Sequence, residues 1–316
     1  MTSSIEKAAQ RLEQLRKAGA PLPEGIAQSE GAATQQMTRL TSPSAITATD
    51  ARSATPSKPS SKTVQIDLTA LAAAGFVTPN APRSATTDQF RVIKRPLLDN
   101  ATGKGASLAV NGNLIMVTSA LPEEGKSFTA INLAMSMAME LNHTVMLVDA
   151  DVARPSIMRK LGLQPAPGLL DLLLDEEVGL ADVLLRTNIE NLTLLPTGLP
   201  HPRATELLAS DAMATLLEDM AKRYSDRIII FDSPPLLITT EARVLASHMG
   251  QVVIVVQAEK TLQSEVQQAL ATIEACPIRL MVLNQARSRG LGAYGYGHGY
   301  GYEQVVAENK PVSAVA

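Results

Sequence analysis

Two groups of residues, far apart in the chain, carry the chemistry of this sequence. The first is Ser119-Ala120-Leu121-Pro122-Glu123-Glu124-Gly125-Lys126-Ser127, which follows an apolar run and opens a helical pattern. Strand, tight loop and helix in that order make a phosphate cradle, because backbone N–H groups and the helix N-terminus converge on anionic oxygens. Lys126 supplies a cation for the β- and γ-phosphates of a nucleotide, and Ser127 a hydroxyl for magnesium. Ala120, Glu123, Glu124, Gly125 and Phe128 complete the stretch expected to contact the nucleotide. Ala120 stands where the pattern G-x-x-x-x-G-K-[ST] begins with glycine, so φ must stay negative there. The second group is Tyr294, Tyr296, Tyr300 and Tyr302, four of the five tyrosines, separated by glycines and His298. Such a run builds no core and presents phenol hydroxyls on a compliant tail, although a low-complexity solubilising tail has the same composition.

Acids occupy the ends of two apolar runs. Asp149 and Asp151 close Val-Asp-Ala-Asp, and Asp232 closes Ile-Phe-Asp followed by Ser233, Pro234 and Pro235. Buried carboxylates are expensive unless a cation uses them. Magnesium takes oxygen ligands and keeps several waters, so Ser127, Asp151 and Asp232 form the expected metal set. Capping the following helix is the alternative role for Asp151 or Asp232, with Asp232 the poorer cap because prolines follow it. Transfer to a phenol of reference pKa about 10 needs a proton acceptor. Asp149 is the first choice and Asp151 the exchangeable second, with Lys126 the catalytic cation.

Six apolar runs read as strands: 114–118, 144–149, 192–195, 227–231, 252–257 and 279–284. Several lack alternation, as strands buried on both faces should. Helical patterns at 126–141, 204–223, 241–248 and 262–275 separate them, which predicts an α/β fold: a mostly parallel sheet with helices on both faces. Ligands of such sheets bind at the C-terminal strand ends, and the 144–149 strand is expected beside the phosphate-loop strand. This core spans 113–287. Before it come an amphipathic helix (1–19), a Ser/Thr/Ala/Pro-rich disordered linker (20–62) and a docking segment (63–112) with a second helix near 86–98. The flexible tail covers 288–316. Met135, Met137 and Met139 point to several faces of their helix and read as packing.

A formal net charge of −3 argues against nucleic acid as a partner. Cys276 is the only cysteine, which excludes an intrachain disulfide and favours a reducing, cytoplasmic compartment. No apolar run approaches the ~18 residues of a membrane span, and the N-terminus lacks a secretory pattern.

Together these motifs resemble the bacterial tyrosine kinases of exopolysaccharide export, and more narrowly the autokinases of exosortase-type loci. The resemblance runs from about Ile66 to Tyr302. It implies a P-loop NTPase-like fold, ATP and Mg²⁺, and phosphorylation of the tail tyrosines on neighbouring copies. It also implies a homo-oligomer, a ring in such families. The expected partners are an inner-membrane polysaccharide co-polymerase that recruits and activates the chain, and a phosphatase that resets it. Asp88, Arg91 and Lys94 match the oligomerisation motif Glu-x-x-Arg-x-x-Arg/Lys, with aspartate in place of glutamate. Ala153 replaces an arginine common in relatives, leaving Arg154 as the phosphate or ring contact, and Asn284 matches the position that reads adenine. Partitioning or positioning ATPases share the fold but carry a signature lysine where this chain has Leu121. A nucleotide-gated export scaffold with little transfer remains the alternative of another class. Four phosphotyrosines would add roughly −6 to −8 charges, which Glu123, Glu124, Asp149, Asp151 and Asp232 are expected to repel unless Arg287 and Arg289 bind them.

Overall fold

The computed structural model describes residues 62–105 and 110–286. The expected helix at 1–19, the linker as far as residue 61 and the tyrosine tail lie outside the described residues.

One eight-stranded sheet organises the chain: β1 (Lys62–Val64), β2 (Leu114–Ser119), β3 (Thr144–Asp149), β4 (Leu185–Thr187), β5 (Leu192–Leu195), β6 (Arg227–Asp232), β7 (Gln251–Gln257) and β8 (Ile278–Asn284). Its order is β1-β4-β5-β3-β6-β2-β7-β8, parallel throughout except for the β4–β5 pair. β2, β3 and β6 are Val/Ile/Leu/Met runs with almost every residue buried, because helices cover both faces. β8 alternates half-buried and exposed residues, as an edge strand covered on one face should.

The expected neighbour of β2 was β3, and here the structure differs. β6 lies between them, paired with β2 from Leu114–Ile229 onward and with β3 along its whole length. Crossing from β2 to β3 skips one strand position, and the later β6 fills the slot. The next strand, β7, pairs on the other side of β2. That reversal creates the crevice at the C-terminal strand ends. It also puts Asp149 directly opposite Asp232.

Before the sheet core come α1 (Leu68–Ala73) and α2 (Ala85–Ala101), and α3 (Lys126–Ala138) follows β2. Asp67 caps α1 and Ser84 caps α2 through side-chain acceptance of first-turn N–H groups. Eleven of the thirteen α3 residues are buried, including Met135 and Met137, because α2 covers the face that the sheet leaves open. The seam is specific. Asn132 Oδ1 accepts from Val77 N at 2.6 Å, and its Nδ2 donates to Phe128 O at 2.8 Å. Phe76 and Phe90 meet the Phe128 ring at centroid distances of 5.0 and 6.4 Å. α4 (Ile157–Lys160) packs Ile157 on the α3 side, and the opposite sheet face is covered by α5 (Leu169–Leu174), α6 (Leu180–Val183), α7 (Ala204–Leu208), α8 (Asp211–Arg223), α9 (Glu241–Ser247) and α10 (Gln263–Ala271). The helix expected over 204–223 is two helices, because Ser210 ends α7 and caps α8 at Met213 N. No helix among the described residues is long and apolar enough to cross a membrane.

The oligomerisation triad divides. Asp88 and Arg91 are on the surface of α2, where Asp88 pairs with Arg83 at 2.9 Å and lies 3.8 Å from Arg91. Lys94 instead faces the interior of its own chain. It is 3% exposed, donates to Ser136 O at 2.6 Å and pairs with Glu140 at 2.7 Å. Its hydrogen bond is the main reason that Glu140 is held below the usual carboxylate range. Lys94 shares the buried stripe of α2 with Phe90, Leu97 and Leu98, spaced by three and four residues, and so reaches onto α3. Lys94→Ala is therefore expected to destabilise the fold by about 2 kcal/mol, since it strands a carbonyl and a quarter-exposed carboxylate. Arg91→Ala should stay within about 0.5 kcal/mol. Urea midpoints at constant m-value check both; equal midpoints for the two variants would show that Lys94 is not an internal tie.

Candidate active site

The loop between β2 and α3 is braced from three sides. Glu124 is 2% exposed and turns inward, where Oε2 accepts from Leu121 N at 2.6 Å and Oε1 accepts from the Thr261 hydroxyl. Asn284 Nδ2 donates to Glu124 O at 2.9 Å, and Gln285 Nε2 donates to Glu123 O at 3.2 Å. The chain after β6 ladders onto the same loop, with Leu236 N donating to Ser119 O at 2.9 Å and Leu237 N to Ala120 O at 3.2 Å. Glu123 (φ 68) and Gly125 (φ 97) take the left-handed positions, while Ala120 keeps a negative φ and is fully buried. Only glycine serves at 125, because a Cβ there would collide with the Asn284 amide as well as strain the backbone.

A cavity of about 360 Å³ opens beside the loop. Of the residues expected to contact nucleotide, Glu123, Gly125, Lys126, Ser127 and Phe128 line it. Ala120 and the Glu124 side chain do not; they hold the loop's shape. Asn284 instead lines a second cavity of about 560 Å³ between α2 and β8, which Phe128 also reaches. Its Nδ2 is already engaged by the loop.

The three acids have distinct surroundings. Asp151 lines the cavity and forms an ion pair with Lys126 at 2.8 Å, both largely buried. Its Oδ1 accepts from Arg154 N at 3.0 Å, closing the turn after β3. Asp149 is 1% exposed; its Oδ2 accepts from Ser156 N and Ile157 N at 3.0 Å each, while Oδ1 has no partner. Burial lifts its pKa to about 6 against those two N–H groups. Asp232 is fully buried, and neither of its oxygens has a hydrogen-bond partner. Burial lifts its pKa to about 7, and the Lys126 charge offsets only part of that. Neither Asp149 nor Asp232 reaches the cavity wall.

Among the described residues no group of three or more His, Cys, Asp or Glu side chains converges as a metal cage. A cation that keeps its own waters needs no such cage. The orphaned Asp232 oxygens, the free Asp149 Oδ1 and the anion-ready loop together fit a magnesium-bearing phosphate ligand.

Sequence reasoning missed the far rim. Arg159 and Lys160 of α4, with Arg154, Ser156, Pro234, Pro235, Ile238 and Thr239, complete the lining. Of these, the sequence motifs point to Arg154 and the two prolines alone. A short basic Arg-Lys pair soon after the strand carrying Asp149 was the available signal. Of the five acids expected to meet the tail, Glu124, Asp149, Asp151 and Asp232 are buried and Glu123 alone is exposed. The mouth presents cations.

A family model described as an AAA domain matches residues 115–283. The tyrosine-protein kinase YwqD of Bacillus subtilis is 30% identical over 200 residues, covering 63% of this chain and 80% of that protein. The crystal structure of the chimerical protein CapA2B2 superposes with a TM-score of 0.55 at 29% identity, over 69% of this chain and 92% of that one. The kinase domain of the Escherichia coli tyrosine kinase ETK gives a TM-score of 0.52 at 25% identity, over 73% of this chain and 97% of the other. With a family model over 115–283 and relatives that this chain covers over most of their length, the chain belongs to the bacterial tyrosine-protein kinase family.

Proposed function

We propose that the chain is an ATP-dependent tyrosine autokinase. It transfers the γ-phosphoryl group to Tyr294, Tyr296, Tyr300 and Tyr302 of an adjoining copy, and thereby regulates exopolysaccharide polymerisation or export. The observation that carries the reading is the Lys126–Asp151 pair on the wall of a cavity, backed by two buried carboxylates that have oxygens to spare. A lysine so held is poised to exchange its carboxylate for phosphate oxygens, and the braced loop keeps its amides aimed at them. Magnesium, when bound, neutralises charge on the phosphate oxygens, and Ser127, Asp151 and Asp232 would hold it.

Asp149 remains the proposed proton acceptor. A pKa near 6 suits a base working near neutrality, and one of its oxygens is uncommitted. Its burial requires the 152–156 turn to give way before a phenol reaches it. Asn284 stays the proposed adenine contact through its free Oδ1, and Asp88 with Arg91 the proposed ring contact. A membrane co-polymerase as activator and a phosphatase complete the proposed cycle, with the kinase recruited peripherally to the inner membrane. The tail is long enough to serve a neighbour: Asn284 to Tyr302 extends to about 60 Å at ~3.3 Å per residue.

Lys126→Met is expected to lower autophosphorylation at least a hundredfold while leaving circular dichroism unchanged. Replacing all four tail tyrosines by phenylalanine should remove the label incorporated from radioactive ATP. Phosphate found mainly on Tyr224, or full labelling of Lys126→Met, would overturn the assignment.

The metal-free protein should also record the strain at Asp232. A carboxyl lifted from 3.8 to about 7 on folding binds more protons in the folded than in the unfolded state between those values. Stability from this group is therefore lost as pH rises from about 4 to about 7. Asp232→Asn should raise stability at pH 8 by on the order of a few kcal/mol and have little effect near pH 4. Thermal unfolding of both proteins in chelator across that range checks it; a constant difference would refute it.

A further inference from the structure

Glu124 is 2% exposed, yet it belongs to no ion pair of the described residues, and Lys126 beside it gives its charge to Asp151 instead. A buried acid without a cation persists where its oxygens are held by donors. Those donors come from two elements. Oε2 accepts from Leu121 N at 2.6 Å within the β2–α3 loop, and Oε1 accepts from the hydroxyl of Thr261 in the turn between β7 and α10. Parallel pairing of β7 with β2, running to Ser119–Val255, brings that turn beside the loop. Thr261 is preset there: its N–H donates to Gln257 O at 3.2 Å, and its Oγ1 accepts from Gln257 N at 3.1 Å. The contacts close into a circuit. Gln257 Nε2 donates to Gln285 Oε1 at 2.6 Å, and Gln285 Nε2 donates to Glu123 O at 3.2 Å, next to Glu124. The described residues include five non-glycine positions at positive φ, of which Asn111 and Asn191 are of a type that tolerates it. The other three, Glu123 (φ 68), Glu259 (φ 63) and Gln285 (φ 59), all lie on this circuit or inside its turn. Strain gathered at one junction points to a geometric task there.

We propose that Thr261 is a positioning residue for phosphoryl transfer, fixing the β2–α3 loop through the buried Glu124 side chain so that the loop amides stay aimed at the transferred phosphate. Resting on the autokinase reading, this adds to it a residue that lies outside both the cavity lining and the phosphate-loop pattern. The turn gives little packing, since Thr261 is half-buried and Leu262 is 61% exposed. It gives a hydroxyl donor to an acid whose other hydrogen bond stays within its own loop. Without that donor Oε1 is buried and unpaired, and the Glu124 side chain is released from its grip on Leu121 N. Substrate binding tolerates a slackened loop, because Lys126 and the helix N-terminus still meet the phosphates. The transfer step does not, because charge that develops in the transition state is stabilised by donors already in place. Loss of the Thr261 hydroxyl should therefore fall on the rate and spare ATP affinity.

Phosphatase-treated full-length protein, mixed with magnesium and increasing radioactive ATP, gives a saturating rate of self-labelling, and a fluorescent ATP analogue gives the dissociation constant. Thr261→Val is expected to lower the saturating rate about tenfold or more while ATP affinity changes less than about threefold. Thr261→Ala, which adds no bulk, is measured beside it, so a valine variant that misfolds leaves the question answerable. Thr261→Ser keeps the donor and should stay within about threefold of the unmodified rate. In a Glu124→Ala background, Thr261→Val should add less than about a twofold loss, because the hydroxyl has nothing left to act through. Thr272→Val removes a hydroxyl that bonds only Ala269 O at the end of α10, and should leave the rate unchanged. A full rate for Thr261→Ala overturns the proposal, as does a loss that serine fails to restore. Independent, multiplying losses in the double variant would show that Thr261 does not act through Glu124. Weakened ATP binding at an unchanged saturating rate would make the turn a support for binding alone, and is equally contrary. Absence of labelling in the unmodified chain is a different result: it refutes the kinase reading and the proposal with it.

Discussion

A carboxylate with both oxygens buried and unpaired is among the least affordable groups in a protein, and Asp232 is one. The arrangement persists because the sheet holds it in place from both sides. β6 is flanked by β2 and β3 through continuous parallel ladders, and Asp149 stands opposite in register. Two acids facing each other at the root of a phosphate loop each resist ionisation, chiefly by burial, with like-charge repulsion from Asp149 adding to it at Asp232 and from Asp151 at Asp149. The same two acids are satisfied once a divalent cation with its waters is bound. The unliganded fold therefore stores a preference for a metal-bearing ligand, and Lys126 paired with Asp151 is its provisional counter-ion.

That preference is useful only if the loop keeps its shape, and its supports come from sequence-distant elements. Glu124 is spent on Leu121 N and Thr261, and Asn284 reaches from the end of β8 to Glu124 O. Beneath the loop, α3 is buried almost all round because the segment before the core lays Phe76 and Phe90 against Phe128. Phe128 lines both cavities, so the aromatic seam connects the docking segment to the wall of the phosphate site. Packing changes on α2 have a short physical path to the chemistry.

How far the sequence could be read follows from the range of each interaction. Strands such as 144–149 were legible because burial on both faces leaves an unbroken apolar run bounded by a turn. The loop and its acids were legible because spacing along one chain sets their geometry. Strand adjacency was not: nothing local in β3 says that a later strand will separate it from β2. β1 and β4 are three residues each and pair at the sheet edge, too short for any periodic signal. The helix expected over 204–223 concealed its break because Ser210 is an unremarkable residue until its hydroxyl is seen capping Met213 N. Lys94 was read only as the last member of an oligomerisation motif, whereas its burial depends on a carbonyl of α3 and a carboxylate just beyond it.

Charge at the site was the hardest property to read, for a related reason. Counting acids near the loop gave a negative surface, yet four of the five turn inward and are consumed by loop bracing, a turn, an ion pair and the strand root. The basic residues that remain on the rim follow β3 by only a few positions, but which way they face is decided by the turn that Asp149 and Asp151 tie down through Arg154, Ser156 and Ile157 N–H groups. The buried acids thus do two things at once. They create the demand for a cation at the phosphate loop, and by fixing the following turn they hold Arg154, Ser156, Arg159 and Lys160 to the opposite side of the same cavity. Removing either acid should consequently disturb the lining of the cavity as well as the metal site.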